Sequence, residues 1–305
     1  MKGLLVGELQ RLLSRRMLRW LTLLAVAAIT VAGVLTFVNT ESVDDAEMEA
    51  RRRAVRARVE ACIERREDVP APPGENGQPA SIEDRCRFGA GPSVQDPRFR
   101  LRQLTGVFQG TTAPLVVVGW LIGASSIGAD WQARTVTTLL TWEPRRRRVL
   151  VAKVVAAVLV SCAFALAAQA VLAGALAPSA ALHGTTAGTG GIWARTLAAV
   201  LARGTALVAV ATAIGFAVAS IGRNTAAALG IGFAYFVVLE NAVGGFLADF
   251  RRWLLLGNAI VWVSGENGGG DVGGRSVVAA GLFLASVAVG LVLAAAVLFQ
   301  RRDVA

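Results

Sequence analysis

The chain has 305 residues, 54% of them apolar, with a mean hydropathy of +0.56 and a formal net charge of +10. Uncharged apolar runs of about eighteen residues or more recur along it, which excludes an ordinary soluble domain and describes an all-α integral membrane protein, one domain over residues 1–305. The surplus charge is no nucleic-acid footprint, because it is concentrated at the ends of the apolar runs.

Charge partition sets an expected topology. Residues 39–103 hold twelve Arg against thirteen Asp plus Glu, whereas the other span-end segments share fourteen Lys and Arg. The positive-inside rule then places both termini in the cytoplasm and the 39–103 insert outside the membrane.

Residues 1–19 read as an amphipathic helix. Leu5, Leu9, Leu12, Leu13, Met17 and Trp20 share one face, and Glu8, Arg11, Arg15 and Arg19 the other. Such a helix lies along the inner interface with its arginines among lipid head groups, or else simply extends the first span. Trp20 to Val38 is nineteen residues without a charge, enough for a first crossing. It continues from the basic start with no small-residue cleavage pattern, so it reads as an uncleaved signal anchor.

The polar insert that follows predicts a charged helix from Ser42 to Asp68, with Val55, Val59 and Ile63 as a narrow apolar stripe. The stretch from Pro70 to Pro79 ends it in a flexible segment. Cys62 and Cys86 lie in this insert, free or joined in a disulfide; a bridge would stabilise the loop by about 3 kcal/mol on the chain-entropy estimate. With His183 the only histidine, no metal site is expected.

Val107 to Ala129 gives the second crossing, with Gly119 and Gly123 spaced to let another helix approach. The connection from Asp130 to Lys153 reads DWQARTVTTLLTWEPRRRRVLVAK. Pro144 breaks the helix, and Arg145 to Arg148 hold the turn at the membrane surface. Those arginines serve as topology anchors on acidic lipid. The apolar residues suggest more: a short helix from about Ala133 to Thr141 offering Leu139, Leu140 and Trp142 to a partner.

This turn resembles the cytoplasmic turn between the second and third spans of type 2 ABC transporter permeases. Asp130, Thr135, Leu139, Leu140, Pro144, Arg147 and Lys153 fill the family's places, while Arg134 stands where the family usually has glycine. The resemblance implies that residues 130–148 form a coupling turn for a separate ATPase subunit, which would carry ATP and Mg.

Val149 to Ala177 is the third crossing, ended by Pro178, and Ile192 to Ile221 the fourth. The return through Gly222, Arg223 and Asn224 is so short that the fifth, Thr225 to Leu247, must be its antiparallel neighbour. Arg203 and Glu240 then sit at matched depth, roughly 27 Å from that turn. They form an ion pair, with Gln169 near it, or snorkel separately. Arg251 to Ser264 is too short to cross and reads as a re-entrant or interfacial pair of short helices within residues 249–275. Ser276 to Phe299 is the sixth crossing.

No catalytic constellation is present. Neither lysine, Lys2 or Lys153, follows a glycine, so a GxxxxGK[ST] loop is excluded, and no HExxH or GxSxG occurs. The family resemblance implies an elbow helix, six spans, an outer re-entrant element, and pairing with two ATPase subunits and a second permease copy or homologue. Walls of Ala, Val, Leu and Phe suit a hydrophobic or amphipathic cargo. The competing reading is a non-transporting scaffold, sensor or immunity subunit whose outer loop binds a partner.

Overall fold

The computed structural model describes residues 2–39, 45–65, 81–89, 98–143, 145–240, 242, 248–267 and 274–301. These described residues are helical apart from short connections and one isolated bridge between Arg100 and Thr185. Among the described residues, five helices are long and apolar enough to cross a membrane. The chain groups into two compact units, one of residues 1–31, 102–174 and 188–305, the other of residues 32–101 and 175–187.

In the larger unit, helix α1 (Lys2–Leu13) is separated from α2 (Arg16–Asn39) by Ser14 and Arg15. The amphipathic segment therefore ends earlier than residue 19. The Ser14 hydroxyl donates to the Arg11 carbonyl at 2.9 Å and the Arg15 amide to Leu12 at 3.1 Å, closing the first helix with a tight turn. Leu5, Leu9 and Leu12 pack on Ala156, Ala157 and Val160, whereas Leu13 and Trp20 are exposed. The expected single apolar face is thus divided, because the turn at residue 14 changes its direction. α2 buries almost nothing of itself, as a lipid-facing helix can.

The core of this unit is the pair α5 (Leu104–Gln132) and α8 (Gly191–Gly222). Gly123 lies directly on the Thr212 backbone, and Gly215 on that of Trp120, with no room for a methyl group at either. Helices that lack a hydrophobic drive for association in lipid gain by such close backbone approach. Ile127, Leu150, Phe216 and Phe299 extend the packing to α7 (Arg146–Leu182) and α11 (Val277–Arg301).

α7 runs through Pro178 to Leu182, so the predicted stop at Ala177 is replaced by a continuous helix of 37 residues. Proline removes one backbone donor without ending a helix whose neighbours hold the path. The return after α8 has the expected brevity: Arg223 is left-handed at φ 54°, and Asn224 caps α9 (Thr225–Phe233) by accepting from the Ala226 amide at 2.8 Å.

α9 passes into a π-helical stretch, Ala234–Leu239. The rest of the expected fifth crossing, residue 241 and residues 243–247, lies outside the described residues. A 3₁₀ segment, Ala248–Trp253, then leads to α10 (Leu255–Ser264). These two short helices occupy the expected re-entrant stretch, and α11 the last crossing.

The smaller unit contains α3 (Asp45–Arg65) and α4 (Ile82–Gly89), joined by a Cys62–Cys86 disulfide with Cα atoms 5.7 Å apart. Ser81 caps α4: its hydroxyl accepts from the Asp84 amide and donates to the Asp84 carboxylate. The segment from Pro70 to Pro79 lies outside the described residues.

Candidate functional site

The turn between α5 and α7 carries a helix of its own, α6 (Thr135–Trp142), eight residues long. Two backbone features isolate it. Arg134 sits in the left-handed region at φ 53°, and Glu143 is extended at φ −127°. A left-handed residue is where glycine costs least, so the arginine adopts the conformation that a glycine there would adopt. The Thr135 hydroxyl donates back to the Asp130 carbonyl at 3.3 Å, stitching α6 to the end of α5.

Leu139 is half-buried on α6. Leu140 and Trp142 belong to the same helix, with side chains outside the description, and Pro144 lies outside the described residues. Of the four arginines, Arg146 donates to the Phe299 carbonyl at 3.5 Å and Arg147 to the Gln300 side chain at 2.8 Å. The start of α7 is thereby fastened to the final turn of α11, where a cation also meets the negative end of the helix dipole.

Asp130 and Lys153 face inward. Lys153 is 2% exposed, and its ammonium donates to Asp130 at 2.6 Å and to Glu8 at 2.8 Å. Arg15 donates to the other Asp130 oxygen at 2.9 Å and to the carbonyls of Ser125 and Ser126. Glu8, expected on the polar face toward head groups, is instead 5% exposed and sealed against α7. Arg11, its side chain 42% exposed, adds a third base at 3.6 Å from Glu8 and 3.9 Å from Asp130, so the two acids have the countercharge that a buried cluster requires. Neither Asp130 nor Lys153 presents a surface to a partner; they bind both arms of the turn to α1. Glu8 and Arg15 are the members that sequence reading placed elsewhere. Their signal was an acid and a base one helical repeat apart, on a helix otherwise read as a surface helix.

The expected Arg203–Glu240 pair is not formed. Glu240 accepts from the Leu256 amide at 2.7 Å, and the Tyr235 hydroxyl takes the Leu255 amide at 3.1 Å, so together they cap α10. The Arg203 guanidinium lies against Gly265, and its carbonyl accepts from the Trp262 indole at 2.9 Å. Equal depth fixes height and leaves azimuth free. The π-helical stretch before Glu240 winds an extra residue per turn and rotates it away from the α-helical count. Gln169 is buried on α7 beside Gly204 and joins neither charge.

Residues of α5, α8, α9, the π-helical stretch and α10 line an open apolar groove of about 660 Å³. Trp120, Ile214, Phe233, Phe236, Ile260 and Leu284 are among its walls, and among the described residues no charged side chain lines it.

A family model described as ABC-2 family transporter protein matches residues 7–304. No curated protein and no solved structure matches the chain.

Proposed function

Because the chain belongs to the ABC-2 transporter family, as a multi-pass permease subunit of an ABC transporter, we propose that it is the membrane half of an ATP-driven exporter. In this reading a separate ATPase subunit binds ATP and Mg, and α6 is the element it grips. Two permease copies, or one copy and a homologue, line the path. Six crossings put both termini and the tetra-arginine turn in the cytoplasm of a plasma-membrane protein, and the disulfide-bearing insert outside. The cargo is a hydrophobic or amphipathic small molecule moved outward.

The observation that carries the reading is the mounting of α6. A short helix stands at the end of the α5–α7 hairpin, set off by one left-handed and one extended residue. Its two arms are joined by Asp130 and Lys153 to α1. A push on α6 is thereby delivered to α5 and α7 together, and through Arg15 to the base of α2. A flexible loop could not deliver force this way.

The test is co-purification. The chain expressed with a candidate ABC ATPase subunit should co-elute in detergent, and Leu139→Arg on α6 should abolish both co-elution and cargo efflux while leaving abundance unchanged. Retained efflux in that variant, or no association at all, rejects the reading in favour of a scaffold.

A further inference from the structure

Two arginines beside α10 converge on one indole. The Arg252 guanidinium, on the 3₁₀ segment, lies 5.6 Å from the centre of the Trp253 ring. Arg275, just before α11, lies over the same ring at 5.4 Å and over Phe283 of α11 at 4.9 Å. Trp253 and Phe283 themselves meet edge to face, their centres 6.0 Å apart. Among the described residues neither guanidinium is paired with a carboxylate, and Glu240 is committed to the Leu256 amide.

A buried side chain holds the pair in place. Asn258 on α10 is 0% exposed, and its amide donates to the carbonyls of Arg252 at 3.0 Å and Leu254 at 2.7 Å. Its oxygen accepts from the Arg275 guanidinium at 2.8 Å. One residue thus fixes the backbone of the first arginine and the head of the second. Fastening α10 to the start of α11 accounts for the Asn258–Arg275 bond. It does not account for Arg252, which is exposed and whose guanidinium meets only the indole among the described residues.

The position of the pair bears on what it meets. Gln109, near the start of α5, donates to the Ser264 carbonyl at the end of α10, whereas α6 follows the far end of α5 at Gln132, roughly 35 Å away at 1.5 Å per residue. The pair therefore stands at the membrane face opposite α6. Phe250 and Trp253, 56% and 53% exposed, suit the boundary where hydrocarbon gives way to head groups. A guanidinium stacked on a ring keeps in-plane N–H donors, which a phosphate takes two at a time. A zwitterionic head would bring its own cation to these two, and an acidic head would not. A soluble phosphate would gain nothing from the exposed aromatic rings.

We infer that Arg252 and Arg275 bind the phosphate of an acidic phospholipid in the leaflet opposite α6, with Trp253 as the platform that sets both guanidiniums. The site goes beyond the transport reading and needs only that the chain crosses the membrane.

Site-resolved photolabelling tests it. The permease is placed in phosphatidylcholine nanodiscs containing phosphatidylglycerol with a diazirine on its head group, and the labelled residues are mapped by mass spectrometry. Label on residues 250–256 should saturate and be displaced by excess plain phosphatidylglycerol, but not by inorganic phosphate. Arg252→Gln and Arg275→Gln should each weaken it about tenfold, through loss of a charge-assisted contact. Arg252 has no side-chain hydrogen bond to lose, so Arg252→Gln should melt with the parent chain, and its lost label cannot come from unfolding.

Undiminished label in Arg252→Gln overturns the inference, because a loss in Arg275→Gln alone is what a tie between α10 and α11 would give. Equal labelling by phosphatidylcholine carrying the same diazirine overturns it too. Displacement by inorganic phosphate assigns the arginines to a soluble anion and rejects the lipid. The measurement uses neither ATPase nor ATP, so failure of the transport reading leaves this site standing, and failure here leaves that reading untouched.

Discussion

The Lys153 ammonium lies 2.6 Å from Asp130, and this one contact spans the two arms of the turn, from the last helical residues of α5 to the second turn of α7. Its burial, with Lys153 2% and Asp130 6% exposed, makes it a structural tie whose loss is felt on three helices. Removing Lys153 leaves two buried acids, Glu8 and Asp130, with only the more exposed Arg11 and Arg15 as countercharges, at a cost of up to roughly 3–5 kcal/mol. Lys153→Met should therefore lower the melting temperature and membrane abundance sharply. The quadruple change Glu8→Gln, Arg15→Gln, Asp130→Asn, Lys153→Met should recover much of the loss, because the one cation left in the cluster, Arg11, is 42% exposed and stays hydrated. Unchanged melting in Lys153→Met would show that the cluster contributes nothing.

Arg134 offers a sharper test of backbone geometry. At φ 53° a β-branched side chain is strained by roughly 1–2 kcal/mol, whereas glycine is at ease. Arg134→Gly should keep the fold, and Arg134→Val should lose stability by about that amount and, if α6 is the ATPase contact proposed above, co-elute less with that subunit. Equal melting curves for the two variants would mean that the left-handed residue does not hold α6 in place.

Glu240 caps α10 from a different helix, since Leu254, the residue at the N-cap position, contributes no side-chain bond of its own. Glutamine retains an acceptor oxygen and should preserve the cap. Glu240→Leu should cost about 1 kcal/mol, typical of a lost cap, and speed hydrogen exchange at the Leu256 amide. Since Arg203 and Glu240 do not pair, the effects of Arg203→Gln and Glu240→Leu should add within about 0.5 kcal/mol. A larger coupling energy would restore the ion pair that depth alone suggests.

The disulfide in the polar insert predicts a local effect. Cys62→Ser and Cys86→Ser should each expose one free thiol to an impermeant maleimide and destabilise that unit by about 3 kcal/mol, the entropy of opening the loop. Melting of the membrane helices should not change. Alkylation of the unreduced parent chain at both cysteines would refute the bridge.

What the sequence determined by itself is what depends on composition and spacing along one chain. The long apolar helices are of this kind: nineteen uncharged residues from Trp20 to Val38 leave no other way to satisfy the backbone in hydrocarbon. So are the three-residue return at Gly222–Asn224, the short helix within DWQARTVTTLLTWEP, and the close approach at Gly119 and Gly123. Each follows from local chemistry that neighbours only confirm.

Tertiary structure alone decided which charges meet. Glu8 looked solvent-facing because its helix was considered without the α7 wall that covers it. Arg203 and Glu240 looked paired because height can be counted from a turn, while the azimuth of Glu240 depends on a π-helical stretch and on α10 requiring a cap. A side chain's partner is set by the rotation and packing of helices distant in sequence, and neither quantity is carried by the residues on one helix.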